Sequence, residues 1–467
     1  MSVVGVVAAG HPSTAEAAAT VLRRGGNAFD AAIAAGFAAA VAEPCFTSPG
    51  GGGFLMARTA DGEETLFDFF VAVPGLGAAV PHDPTRLEAV TVRFEAADQI
   101  FHVGPASVAT PGCLAGYLHI HERLGRVPLD VVVAPAVDLA RAGVVVNVFV
   151  AEVVALLAGT LSRTETGRSL FFLEDRPIEE GDVFRNAELG EFFHEVGAGR
   201  ITHFDDASLG DGVTRQDVDA YRVIEREPLR LPFRGSTVLT NPPPSLGGML
   251  IAGALDDLGH TEPLQGADDI ARIVEALIAQ YERRAQLGPS NARGTTHVSV
   301  EDAEGNVAAM TTSNGSCSGE FVTGTGVQLN NMMGEEDLHP AGFGTLAAGT
   351  RISSMMSPTL VDRGARGVTA LGSGGSERIR SVIVQVIVNL VERGMTLRDA
   401  VDAPRVHWDG RSLQYEPGPD PSRMRSEWQA NPWKRQDLYF GGVHAVSGGR
   451  EAVGDPRRGG SALVVES

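Results

Sequence analysis

Apolar and polar positions alternate or recur along most of the chain in ways that mark its elements. Residues 3–9 form a mainly apolar run that suits a buried strand. His11-Pro12-Ser13-Thr14-Ala15-Glu16 then opens a helix, with Ser13 and Glu16 spaced as a capping box, and the helix runs to about Arg24 before Gly25-Gly26. Asn27 can cap a second helix through the Ala-rich stretch to Val41, ended by Pro44; alanine on all sides implies a helix buried among neighbours. Ser48-Pro49-Gly50-Gly51-Gly52-Gly53-Phe54 turns the chain into a strand at 54–58, and a second strand at 65–71 follows the Asp61-Gly62 turn. Residues 113–160 read as interrupted helix, and 160–235 as mixed and charged.

Asn241-Pro242-Pro243-Pro244-Ser245 predicts a rigid extended loop, followed by helices to about Leu258 and over roughly 267–286. Residues 287–294 are polar and turn-rich, and read as an exposed linker. The pattern then changes. His297–Glu301 and Asn306–Ser313 alternate around Asp302-Ala303-Glu304-Gly305, the pattern of a β-hairpin. A second hairpin is expected at 358–363 and 367–371, then a long apolar helix from Ser376 to Arg393 ended by Gly394. Thr396 with Asp399 caps the next helix. Hairpins and helices in this order fit an α+β fold, a sheet-on-sheet sandwich covered by helices. No short-period repeat interrupts it.

Composition narrows the function. Hydrophobic residues make up 43% and charged residues 21% of 467 residues, which is globular and long enough for one large or two to three ordinary domains. A net charge of −20 disfavours nucleic acid and anionic membrane as partners. Three scattered cysteines, Cys45, Cys113 and Cys317, argue against a disulfide framework and a zinc site. His119 and His121 flank Ile120 on a predicted helix and so do not share a face. Gly50–Gly53 lacks the Gly-Lys-Ser/Thr of a phosphate loop. No metal or cofactor is expected. The N-terminus lacks a basic segment and no apolar run is long enough to span a bilayer, which reads as a soluble cytoplasmic protein.

The most specific signal is Gly294-Thr295-Thr296-His297-Val298-Ser299-Val300-Glu301-Asp302, followed by Gly305-Asn306-Val307. It resembles the processing site of gamma-glutamyltranspeptidases. Gly25–Ala32, Ser48–Phe54, Pro243–Gly248, Leu329–Met333, Ser353–Thr359 and Gly372–Ser376 resemble further blocks of that family, in its order. The resemblance covers most of the chain outside about 160–235, and is nearest the short actinobacterial branch. It implies a four-layer αββα sandwich of two antiparallel sheets, the N-terminal-nucleophile hydrolase fold. It also implies self-cleavage into a large subunit, 1–294, and a small subunit, 295–467, which stay one intertwined domain, with higher assembly left open.

The chemistry explains why a Thr should start the second subunit. Its hydroxyl is a weak nucleophile that needs a base, and a free N-terminal amine, with a pKa of about 7.7–8.0, supplies one on the same residue. Thr296 is the adjacent alternative. The family nucleophile precedes one residue and then His, which selects Thr295. His297, on an alternating strand, is expected to be packed and hydrogen-bonded rather than a base. By resemblance Ser313 is the hydroxyl that bonds the nucleophile. Gly375 and Ser376 hold the backbone oxyanion position, which tolerates Ser376 if its φ is negative. Substrate contacts fall by the same resemblance on Asn314, Asn331, Met332, Glu335 or Asp337, Ser353, Ser354, Met355 and Gly374.

The departures bear on specificity. The family binds a substrate carboxylate with an Arg two residues after an Asp; here Asp68 is followed by Phe70 at that position, and a benzyl ring cannot replace a bidentate guanidinium. Phe70 is then expected to give the substrate site an apolar, aromatic surface; were it a core residue instead, Arg378 or Arg351 would serve. Met332 stands where many members have Gln, and Met355 for the second of two serines. The expected function is a self-processing, Thr-dependent amidohydrolase or acyltransferase acting on a small-molecule amide. The alternatives are hydrolysis of a non-glutamyl amide, or of a C–C bond beside an oxo group in an oxo acid, as in antibiotic pathways to 4-alkylprolines, and a non-catalytic binding protein on this fold.

Overall fold

Two antiparallel sheets pack face to face, with helices over both outer faces. The computed structural model describes residues 2–78, 83–93, 98–206, 209–264, 270–285, 294–339 and 341–467. The first sheet has seven strands in the order Ile224–Arg226, Glu64–Phe69, Gly52–Arg58, Val307–Ser313, Thr296–Asp302, Val3–Ala9, Ser461–Glu466. The second has six: Leu229–Phe233, Ser236–Thr240, Thr359–Asp362, Val368–Gly374, Gly442–Ser447, Glu451–Val453. This is the expected αββα arrangement.

Strand alternation assigns each residue to a layer. Val6, Ala8, Val307 and Ala309 face the core between the sheets. Val7, Ala9, Ala308 and Met310 face the helices Pro12–Arg23, Ala28–Ala42, Cys113–Leu124 and Leu129–Ala142 on the outer side. Both faces of these strands are buried, as period-2 side-chain orientation requires when helices cover the sheet. The second sheet is covered by Leu246–Gly259, Ile270–Ala285 and Arg378–Val391. Among the described residues no helix is long and apolar enough to cross a membrane.

The second helix starts as its sequence suggests. The Asn27 side chain accepts from the N–H groups of Phe29 and Asp30, and Asp30 returns a bond to the Asn27 N–H. Every residue of this helix is buried. Asn27→Ala is therefore expected to cost about 1 kcal/mol, visible as a lowered Tm. The first helix differs from expectation. Pro12 takes its first position, and the cap is His11, whose Nδ1 accepts from Ser13 N–H at 3.1 Å. Glu16 instead pairs with Arg23, so no Ser13–Glu16 capping box forms. The expected linker at 287–294 lies, except for Gly294, outside the described residues. The long C-terminal helix begins at Arg378 rather than Ser376, because Gly375 (φ 123°) and Ser376 (φ 55°) have non-helical backbone.

Candidate active site

The central hairpin creates the site. Thr296 pairs with Thr312 and His297 with Thr311, so the register extended by one residue brings Thr295 opposite Ser313. Thr295 Oγ1 donates to Ser313 Oγ at 3.4 Å, and Ser313 Oγ donates in turn to the carbonyl oxygen of Gly294. The Gly315 N–H donates to the same Ser313 oxygen at 3.1 Å. A hydroxyl chain thus links the Thr295 side chain to the carbonyl that precedes it. Both side chains are buried.

The surroundings leave room only for backbone. A Cβ on Gly294 would stand 1.7 Å from Gly315 O. One on Gly374 would stand 2.2 Å from Thr295 O and 3.0 Å from Arg458 Nη1. Thr296 is engaged differently from its neighbour: its Oγ1 donates to Glu43 Oε2 at 2.6 Å, and Thr14 Oγ1 donates to Glu43 Oε1 at 2.7 Å. Burial raises the Glu43 pKa, against the hydrogen bonds of Thr296 and Thr14 and the charge of Arg458. The hydroxyl of Thr296 is thus committed to a carboxyl group, whereas that of Thr295 meets only Ser313 among the described residues.

His297 lies between the sheets, its Nδ1 2.7 Å from Thr311 Oγ1 and its Nε2 2.9 Å from Ser299 Oγ. Burial, with His444 adding to it, holds its pKa well below the usual value. It is the packed, hydrogen-bonded residue expected of its strand position. Among the described residues no cluster could hold a metal ion.

Thr295 opens onto a cavity of ≈ 1070 Å³. Gly294, Gly315, Ser316 and Gly374 line it near Thr295, and Phe101, Phe149, Val153 and Leu157 form an apolar wall. Arg378, Trp433, Tyr439 and Arg458 lie on its rim and walls. His407 and His444 line it as well. Burial lowers both imidazoles, His407 well below the usual value and His444 to about 4.

The remaining expected site residues divide. Gly374 lines the cavity; Gly375 and Ser376 do not. Ser376 has φ 55°, so the condition of a negative φ fails, and its buried Oγ has no hydrogen-bond partner among the described residues. Phe70 does not reach the cavity: it is 1% exposed in the core, stacked on Phe54 with centroids 5.6 Å apart. Asp68, two residues before it, accepts from Arg226 and lies 3.4 Å from Arg351 Nε, and Arg351 does not line the cavity. Met332 is also core.

Asn331 and Glu335 do not line the cavity; both accept from Ser316 N–H, at 2.7 and 2.9 Å. Burial pushes Glu335 up to about 7, against hydrogen bonds from Ser316 and Asn331. Asn314 Nδ2 is 3.3 Å from Leu329 O. The side chain of Asp337 lies outside the described residues. Ser353 is half-buried and Met355 buried; neither lines the cavity. The Ser354 carbonyl accepts from Leu246 and Gly247, holding the start of that helix. Sequence reading missed Glu43, Phe149, Trp433 and Arg458. They come from four distant segments, and only the adjacent Arg457-Arg458 pair in a turn-rich loop hints at a site.

The gamma-glutamyltranspeptidase family model matches residues 14–292 and 286–465. The acylase ACY 1 proenzyme of Pseudomonas sp. (strain V22) is 31% identical, covering 95% of this chain and 89% of that one. The glutathione hydrolase proenzyme of Escherichia coli (strain K12) is 28% identical over 90% of this chain and 84% of its own. The crystal structure of cephalosporin acylase from Bacillus halodurans superposes with a TM-score of 0.83 at 21% identity, covering 100% and 96% of the two chains, and supports the fold.

Proposed function

Since the chain belongs to the gamma-glutamyltranspeptidase family, we propose that it is made as a precursor that cuts itself between Gly294 and Thr295 and then hydrolyses or transfers acyl groups through Thr295. The observation that carries this reading is the hydroxyl chain from Thr295 through Ser313 to the Gly294 carbonyl. In the precursor, Ser313 polarises that carbonyl while Thr295 Oγ1 attacks it. The peptide bond gives way to an ester, which water resolves. The released Thr295 amine then serves as the base for the same hydroxyl, as in other N-terminal threonine enzymes. Residues 1–294 and 295–467 become the two subunits; strands of both parts share each sheet, which keeps them together.

The acyl donor of this enzyme differs from a γ-glutamyl group in how it is held. Phe70 is core, so the carboxylate of a γ-glutamyl head finds no guanidinium at that position. The apolar wall favours a non-glutamyl amide.

Intact-mass analysis of the purified protein tests the cut: two fragments meeting at Gly294 and Thr295 are expected, and a permanently uncut but active chain would refute it. Gly294→Ala should slow the cut by about two orders of magnitude or more, because its methyl has no room beside Gly315 O and must displace the carbonyl from its attack geometry. The rate is read as precursor decay on a denaturing gel.

A further inference from the structure

Two thiols meet beside the scissile bond. Cys45 and Cys317 stand 272 positions apart in the chain, yet Cys317 Sγ lies 3.6 Å from Cys45 O and 3.3 Å from Gln328 Oε1. Both cysteines are free and buried, in one small apolar cluster with Phe101, Val150 and Leu157. The thiols touch each other: the Cys45 pKa is pushed up first by hydrogen bonding with the Cys317 thiol and then by burial. The backbone holds this contact in place. Asn314 N–H donates to Phe46 O at 3.1 Å, Cys317 N–H to Asn314 O at 3.3 Å and Ser318 N–H to Leu329 O at 3.1 Å. Cys45 also lines the Thr295 cavity; Cys317 does not. The third cysteine, Cys113, belongs to the separate core cluster on the helical side of the first sheet, with Tyr117.

The location of the pair decides what it can do. A Cβ on Gly294 would stand 3.1 Å from Cys45 O, so the thiols lie next to the bond that the cut removes. Cys45 falls in 1–294 and Cys317 in 295–467, so a bond between their sulfurs would join the two subunits again. We propose that Cys45 and Cys317 form a disulfide when a small peroxide enters the Thr295 cavity, and that this bond ties the large subunit to the small one beside the cut. Cys45, on the cavity wall, reacts first. Its sulfur takes one oxygen from hydrogen peroxide to become a sulfenic acid, and one water leaves. Cys317 then attacks that sulfur: the S–S bond forms, the S–O bond breaks, and a second water leaves with the Cys317 proton. The two thiols lose two electrons and the peroxide gains them. At rest the raised pKa keeps the Cys45 thiol protonated, so the pair stays reduced until such an oxidant is supplied. The disulfide is independent of the acyl chemistry of Thr295; only its joining of two subunits rests on the cut.

The test is a denaturing gel without reductant, run on the purified protein before and after treatment with hydrogen peroxide at mildly alkaline pH. Two bands are expected before treatment. Afterwards a single species near the 48.9 kDa of the whole chain is expected, which dithiothreitol returns to two. Cys45→Ser and Cys317→Ser should each stay at two bands, and Cys113→Ser should link as the wild type does. Should a serine variant fail to fold, peptide mass mapping of the oxidised wild type must still join the Cys45 peptide to the Cys317 peptide, about 2 Da below the sum of the two. Two bands that persist with peroxide, a link that survives Cys45→Ser or Cys317→Ser, or a link through Cys113 would each overturn the proposal. So would oxygen gained at Cys45 in place of the bond. The map keeps the two readings apart: a chain that never cuts itself refutes the Thr295 reading, and the joined or unjoined peptides still decide this one.

Discussion

Thr295→Ala is expected to remain a single full-length polypeptide and to lose at least about 10³-fold of its acyl-transfer rate. The reason is that one residue performs two successive tasks. Its hydroxyl attacks the Gly294 carbonyl, and only the resulting cut exposes the amine that activates that hydroxyl towards substrate. Thr295→Ser keeps both groups and should cut, more slowly if the lost methyl helped fix the rotamer. Thr296→Ala gives the sharper contrast. The Thr296 hydroxyl is held by Glu43 at 2.6 Å and takes no part in the Ser313 chain, so the cut should survive. The cost there is stability, about 1–3 kcal/mol for a buried acceptor left with one partner fewer. Precursor decay followed by mass, beside thermal unfolding, separates the two variants. A Thr295→Ala chain that still cut itself, or a Thr296→Ala chain that stayed intact, would move the chemistry to the neighbouring residue.

The parts of this site that local pattern specifies were legible in the sequence. Thr295 and Ser313 meet because an alternating hairpin with a short turn fixes its own register, and the face His297 occupies follows from the same alternation. The two-sheet, helix-covered fold was legible for the same reason, since period-2 runs and capped apolar helices state their own layers. Phe70 shows where that kind of reading stops. Its position beside Asp68 marks the family's substrate-binding position, yet the ring turns into the core against Phe54, and no spacing rule announces that. Ser376 at φ 55° is a second case: a left-handed serine after a glycine is set by the sharp passage from the strand Val368–Gly374 into the helix, a tertiary demand rather than a local preference. The cavity itself was the least legible feature. Phe149, Trp433 and Arg458 are hundreds of residues or several elements apart, and only the packed fold brings them to one wall.

The loop that carries Arg458 depends on a buried ionic network, and breaking it should have the second-largest effect. Arg457 donates from Nε to Glu416 Oε1 at 2.7 Å and from Nη2 to Glu416 Oε2 at 2.6 Å, and its Nη1 is 3.3 Å from Asp455 Oδ1. Asp455 also accepts from Arg405 and from Val443 N–H. All four side chains are 0–3% exposed. Arg457→Met would leave Glu416 and Asp455 under-compensated in a dry interior, and a loss of about 3–5 kcal/mol is expected, read from chemical unfolding. The same network gives stability a pH dependence. Burial alone would raise the Asp455 pKa, but Arg405, Arg457 and the N–H groups of Val443 and Arg457 outweigh it and hold the carboxyl below its ordinary value. A depressed carboxyl stabilises the fold fully above its unfolded pKa of about 3.9, and that contribution is lost as pH falls through the lower folded value. Unfolding free energy of the wild type should therefore decline as pH drops below about 4, and Asp455→Asn should decline less over that interval. A variant that kept the wild-type acid slope would show that the proton taken up on unfolding belongs to another carboxylate.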